Sequence, residues 1–178
     1  MKNTLFLVLF SIYLSACSSS VNEDVVPFQE QVNDTFDTDV YIPHLQDYSI
    51  TSAIIETGPF GKHKDLIIEY SKQLGNKKDE EYIEKYEENM GSEVLYGIYG
   101  GEPLVFKLTF NDGKQSSSPS NTKMINDTEV EYHKIENKNV LFVIFNLDSG
   151  TYSGEFRLTE ISEERAYEIV EQIIRVAK

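Results

Sequence analysis

Basic residues are scarce in this chain: 16 Lys and Arg stand against 30 Asp and Glu, a net charge of −14. So acidic a surface is repelled by nucleic-acid phosphates and by anionic lipid headgroups, so no nucleic-acid partner is expected and no basic patch can anchor the protein to a membrane. Tryptophan is absent, and a single cysteine, Cys17, rules out intramolecular disulfides. The three histidines, His44, His63 and His133, fall in separate segments with no two at metal-ligand spacing, so no metal and no cofactor is expected. No G-x-S-x-G, H-E-x-x-H or P-loop pattern occurs. No apolar run reaches the roughly 20 residues that cross a bilayer.

What is present begins at the N-terminus, MKNTLFLVLFSIYLSACSSS. Lys2 is a positive flank, and Leu5 to Leu14 is apolar apart from one serine and one tyrosine, the length of a signal-peptide core. The next residues complete Leu14-Ser15-Ala16-Cys17, which resembles the lipobox of bacterial lipoproteins. That resemblance implies cleavage before Cys17, a diacylglycerol on its thiol, and a place on the extracytoplasmic face of the cell membrane. Two acyl chains anchor far more durably than one, because each buried methylene contributes about 0.8 kcal/mol. The competing reading is an ordinary secreted protein with an unrelated cysteine.

Residues 1–16 thus read as a signal peptide, 17–39 as a lipidated N-terminus and flexible tether, and 40–178 as one domain. The tether reading rests on a Ser-, Asn- and acid-rich stretch whose few Val and Phe show no sustained period. Asp34, Asp37 and Asp39 invite a calcium reading, but the glycine and distal glutamate of an EF-hand loop are missing. Removal of Lys2 leaves 15 basic against 30 acidic side chains on the 162 residues from Cys17 onward.

The domain alternates short period-two segments with turn signals. Tyr48 to Ile54 closes at Gly58-Pro59-Phe60-Gly61, and Leu66 to Tyr70 follows. The segments 93–99 and 104–110 read as a hairpin through Gly100-Gly101, and 129–135, 140–145 and 151–158 complete seven strands. QSSSPSNTK, 115–123, reads as a polar loop. A helix is expected over about 77–90, capped by Asn76, stopped by Gly91, and held by a stripe of Tyr82, Ile83, Tyr86 and Met90. Lys77 and Lys78 at its start and Glu87 and Glu88 near its end oppose the helix dipole. A second helix starts at Ser162, with Ala166, Ile169, Val170, Ile173, Ile174 and Ala177 as its buried face. The expected fold is α+β: a curved antiparallel sheet of about seven strands, with the C-terminal helix on one face. VLFVIF, 140–145, is apolar at every position, which predicts a central strand covered twice, the helix at 77–90 supplying the second cover.

The order YIPHLQDYSITSAII, DLIIEYSKQL, a strand-rich middle and ISEERAYEIVEQII resembles an uncharacterised domain of Bacillus-type bacteria. That domain occurs in small lipoproteins and in the extracytoplasmic regions of anti-sigma factors. The resemblance spans about residues 40–178, departs in the helix at 77–90 and in the C-terminal IIRVAK, and carries no catalytic residue.

Ser120 and Lys123 match S-x-x-K, the nucleophile pair of penicillin-interacting enzymes, but no K-T-G or S-D-N partner accompanies them. Glu80-Glu81 and Glu87-Glu88 read as a solvated helix face, and Tyr96, Tyr99, Tyr132 and Tyr152 as half-buried sheet residues rather than a carbohydrate platform. The function expected is therefore a non-catalytic, membrane-anchored lipoprotein that binds or positions an envelope protein. An extracytoplasmic sensor or inhibitor of a membrane signalling protein is the alternative, and a cryptic hydrolase the third. The site residue expected is Cys17, for lipidation; no ligand-binding residue is identified.

Overall fold

The computed structural model describes residues 25–58, 63–100, 103–116 and 121–178, and only the backbone of 25–27. Cys17 and its lipobox, residues 17–24 of the expected tether, Pro59-Phe60-Gly61, Gly101 and Ser120 lie outside the described residues. In chain order come α1 (Val25–Phe36), β1 (Ser49–Thr57), β2 (Lys64–Ser71), β3 (Asn76–Lys77), α2 (Glu80–Met90), β4 (Ser92–Gly97) and β5 (Tyr99–Gly100). There follow β6 (Leu104–Asn111), β7 (Asn121–Ile125), β8 (Thr128–Ile135), β9 (Val140–Leu147), β10 (Gly150–Arg157) and α3 (Glu163–Ala177).

Eight strands form one antiparallel sheet in the order β4-β1-β2-β6-β10-β9-β8-β7, and β3 and β5 make a separate two-stranded ribbon. Because side chains alternate across a strand, register decides which residues share a face. Ile55, Leu66, Phe110, Tyr152, Phe145 and Val130 are partners in turn across six strands, and all six are buried. Their neighbours one position along, Ile54, Ile67, Thr109, Ser153, Ile144 and Glu131, line the opposite face. Phe106 centres the core: it stacks between Tyr70 at 4.2 Å and Phe156 at 5.2 Å, with the edge of Tyr48 at 5.8 Å. Gly154 lets the Phe156 ring lie flat, since a Cβ there would come within 2.5 Å of it.

Two helices cover the first face. In α3, Ala166, Ile169, Val170, Ile173 and Ile174 are buried, and the Ser162 side chain accepts from the Arg165 N–H at 3.1 Å, which makes it the N-cap of the helix expected to start there. The second is α1, which the tether reading did not anticipate. Phe28, Val32 and Phe36 recur every four residues, so they share one stripe, and all three belong to the core. Phe36 meets Phe110 edge-on at 5.2 Å, and the segment after the helix continues inward with Val40 and Ile42. Asn33 Oδ1 accepts from Val40 N–H, and Gln29 donates to the Val40 carbonyl. Over 25–39 the flexible tether is therefore corrected to a packed helix and its exit.

The helix expected at about 77–90 is present, with a later start and a different cap. α2 starts at Glu80; Asn76 and Lys77 pair with Gly100 and Tyr99 instead. The N-cap is Asp79, whose carboxylate accepts from Tyr82 N–H at 2.8 Å. The later start places Glu80 and Glu81 in the first turn, so the N-terminal end agrees with the helix dipole. Gly91 ends it in the left-handed conformation as expected, at φ 61°. No residue of α2 is buried, and Tyr82 and Met90 are exposed.

β4 and β6, expected as a hairpin, are not neighbours: β4 pairs with β1, and β6 lies between β2 and β10. The eighth strand is β7, which claims Asn121 to Lys123 from the expected polar loop. β9 is an interior strand, but only Leu141, Val143, Phe145 and Leu147 are buried; Val140, Phe142 and Ile144 face the other side half-exposed. VLFVIF is thus covered once. α2 packs against β4, five strand positions away.

Candidate functional site

Two features of the described surface have a shape a ligand or partner can use. One is the open face of the sheet. Glu69, Lys107, Glu155, Phe142 and His133 form a register row across it, flanked by the row from Ile54 to Glu131. Lys107 reaches Glu155 at 3.7 Å, so its charges are largely internal to the row. At the β4–β1 end, α2 covers this face. Glu87 Oε1 accepts from Val94 N–H at 2.8 Å, and Tyr86 faces Glu56 and Glu69, its hydroxyl pushed up by burial and then by those carboxylates. Glu87 therefore holds an edge-strand N–H as well as belonging to a solvated helix face.

The other is a groove of about 310 Å³ at the ends of β8 and β9, lined by Asp127, Glu129, Glu131, Asp148 and Lys178 among others. Lys178 Nζ also donates to the Asn126 carbonyl. The groove's charge suits a cationic group, and no histidine, cysteine or serine lines it. Among the described residues, no three His, Cys, Asp or Glu side chains are arranged to hold a metal ion.

The sequence-predicted candidates are scattered. His44 is exposed in the coil before β1, and His63 precedes β2, 3.3 Å from Asp112. His133 is exposed on β8, four strand positions from β2, which is roughly 19 Å at sheet spacing. Lys123 sits on edge strand β7 with its Nζ 3.4 Å from the centre of the Tyr167 ring, and burial pushes that phenol up to about 12. Asp39 accepts a hydrogen bond from Asn33 at the end of α1, while Asp34 and Asp37 are exposed. Glu81 pairs with Lys85 at 2.6 Å, and Glu80 and Glu88 are exposed on α2. Tyr152 is wholly buried, Tyr132 meets Tyr167 edge-on at 6.3 Å, and Tyr96 bridges Phe28 and Tyr99. Nothing in the sequence pointed to the groove, because its residues come from two turns, the strands β8 and β9 and Lys178 after α3, which only the fold brings together.

Among the described residues, no helix is long and apolar enough to cross a membrane. No protein-family model, curated protein or solved structure matches the chain.

Proposed function

We propose that this chain is a membrane-anchored extracytoplasmic lipoprotein whose folded domain is a non-catalytic binding or accessory module of the cell envelope, with an envelope protein as partner. The observation that carries the reading is the position of the sole cysteine. It ends Leu14-Ser15-Ala16-Cys17 directly after an apolar stretch too short to span a bilayer. A thiol used for acylation needs no partner elsewhere, and the chain offers none. The resemblance of residues 40–178 to a domain of small lipoproteins supports the same placement. The non-catalytic part of the reading is supported by the separation of His44, His63 and His133 and by the engagement of Lys123 with Tyr167. The part of the sheet face that α2 leaves open is the natural surface for a macromolecular partner.

Cys17→Ala tests the anchor. Cells fed a fatty-acid analogue should incorporate label into the wild-type protein, and the variant should carry none and migrate as the uncleaved precursor. Undiminished label on the variant overturns the reading.

A further inference from the structure

The packed α1 shortens the link between anchor and domain. Val25 is the eighth residue after Cys17, so whatever the path of the intervening chain, it spans at most about 29 Å. The linker meets the domain at one edge of the sheet. Phe28, in the first turn of α1, lies 6.1 Å from Tyr96 on edge strand β4, and Tyr96 lies 5.7 Å from Tyr99 on β5. The far edge, β7, is seven strand spacings away, or about 34 Å. An arrangement with β7 against the bilayer would lift the root of the linker beyond its reach.

Beside that root the described surface brings two lysines together with two exposed apolar side chains. Lys77 pairs with Tyr99 in the β3–β5 ribbon, and Lys78 N–H donates to the Ile98 carbonyl. Lys78 Nζ lies 5.2 Å from the centre of the Tyr82 ring. Tyr82 and Leu74, which precedes the ribbon by two residues, are 45% and 44% exposed, two of the five large apolar side chains exposed among the described residues. Of the carboxylates that follow, Asp79 accepts from Tyr82 N–H, Glu81 pairs with Lys85, and Glu80 is exposed in the first turn of α2. An exposed leucine, a tyrosine and two lysines on long aliphatic stems are the side chains that settle at the level of lipid headgroups.

We infer that the β3–β5 ribbon and the start of α2 rest on the headgroup layer of the bilayer that carries the anchor, with Leu74 and Tyr82 inserted and Lys77 and Lys78 on lipid phosphates. The inference rests on acylation of Cys17. Two lysines do not hold an acidic protein on a membrane; they orient one that its acyl chains already hold. The open sheet face then stands upright on the membrane, accessible from the side.

The acylated full-length protein carries no free thiol, so Leu74→Cys and Met124→Cys each introduce a single labelling position, the second on exposed β7. Each variant is labelled with a bimane and reconstituted into phosphatidylcholine–phosphatidylglycerol vesicles containing headgroup-nitroxide lipid. Flotation with the vesicles is scored separately. Fluorescence at position 74 should be quenched and that at 124 should not. Lys77→Glu with Lys78→Glu should abolish quenching at 74 while the protein still floats and keeps its circular dichroism spectrum. Equal quenching at the two positions, or quenching at 74 that survives the charge reversal, overturns the inference while leaving the anchor intact. Failure of the protein to float overturns the anchor and the inference together.

Discussion

Two buried phenols secure a stretch of chain with no regular structure of its own. Tyr152 Oη accepts from Tyr41 N–H at 2.9 Å and donates to the Tyr41 carbonyl at 3.3 Å, and Tyr70 donates to the Pro43 carbonyl at 3.1 Å. Residues 40–43 bring α1 back to the sheet, and backbone groups buried there need partners. Tyr152→Phe preserves the ring stacked 5.5 Å from Phe145 but strips Tyr41 of both hydrogen bonds. It should lower stability by about 1–3 kcal/mol, the penalty for a buried group left unsatisfied. Urea denaturation measures this, and an unchanged midpoint would show that water replaces the phenol. Burial pushes both hydroxyls well above the ordinary tyrosine value, Tyr70 further by its neighbours Tyr41 and Tyr152. The folded state thus disfavours phenolate, and the unfolded chain loses its phenolic protons near pH 10. The stability these groups contribute is complete below about pH 10 and drains away as pH rises toward their folded values. Alkaline titration should therefore show phenolate absorbance from Tyr70 and Tyr152 appearing together with loss of circular dichroism. Full ionisation of all 11 tyrosines in a still-folded protein would contradict it.

At the scale of elements, burial separates three helices of similar length. α3 buries five side chains and α1 three, whereas α2 buries none and is held by its caps and the Glu87–Val94 bond. A helix of 11 residues is marginal alone, so packing decides its stability. Hydrogen exchange should accordingly protect amides of 169–177 and 29–36 more strongly than those of 84–90. Protection in α2 equal to that in α3 would refute the ranking. The same contrast explains what the sequence revealed. α3 was legible because six apolar positions repeat at helical spacing after Ser162, and seven of the strands because their apolar runs lie between turn signals. α1 was not, because its core stripe is only Phe28, Val32 and Phe36 amid nine other residues, and polar composition outweighs so sparse a period. β7 was hidden for a related reason: NTKMI has one apolar pair and pairs only through its neighbour β8. Sheet order was equally illegible, since the link from β4 to β6 looks like a hairpin locally while β4 is claimed by β1. The groove at Asp127 and Asp148 inherits that limit.

Among the described residues, α1 and α3 cover one face of the sheet while only α2 covers an end of the other, and the chain carries nearly twice as many acids as bases. The sheet's edges are treated differently: the Glu87 carboxylate occupies an outward N–H of β4, while β7 ends the other side as a five-residue strand with exposed Met124. A short strand limits what can pair with it, and net negative charge keeps copies of the chain apart. That charge also acts within one molecule. Pairs such as Lys85–Glu81, Lys134–Glu163 and Arg165–Glu168 are exposed, and exposed pairs contribute about 0–1 kcal/mol each. The unbalanced acids repel over longer distances. At 0.01 M salt the screening length is about 30 Å, so carboxylates at opposite ends of the sheet sense one another; at 0.15 M it is about 8 Å, and only neighbours do. Screening therefore removes more repulsion than attraction, and unfolding, which lets the acids separate, becomes less favourable. The melting temperature should rise as sodium chloride increases over that range, and the rise should shrink in variants where surface glutamates such as Glu88 and Glu164 become glutamine. A melting temperature that falls with salt would mean that the local ion pairs, not the net charge, govern the electrostatics of the fold.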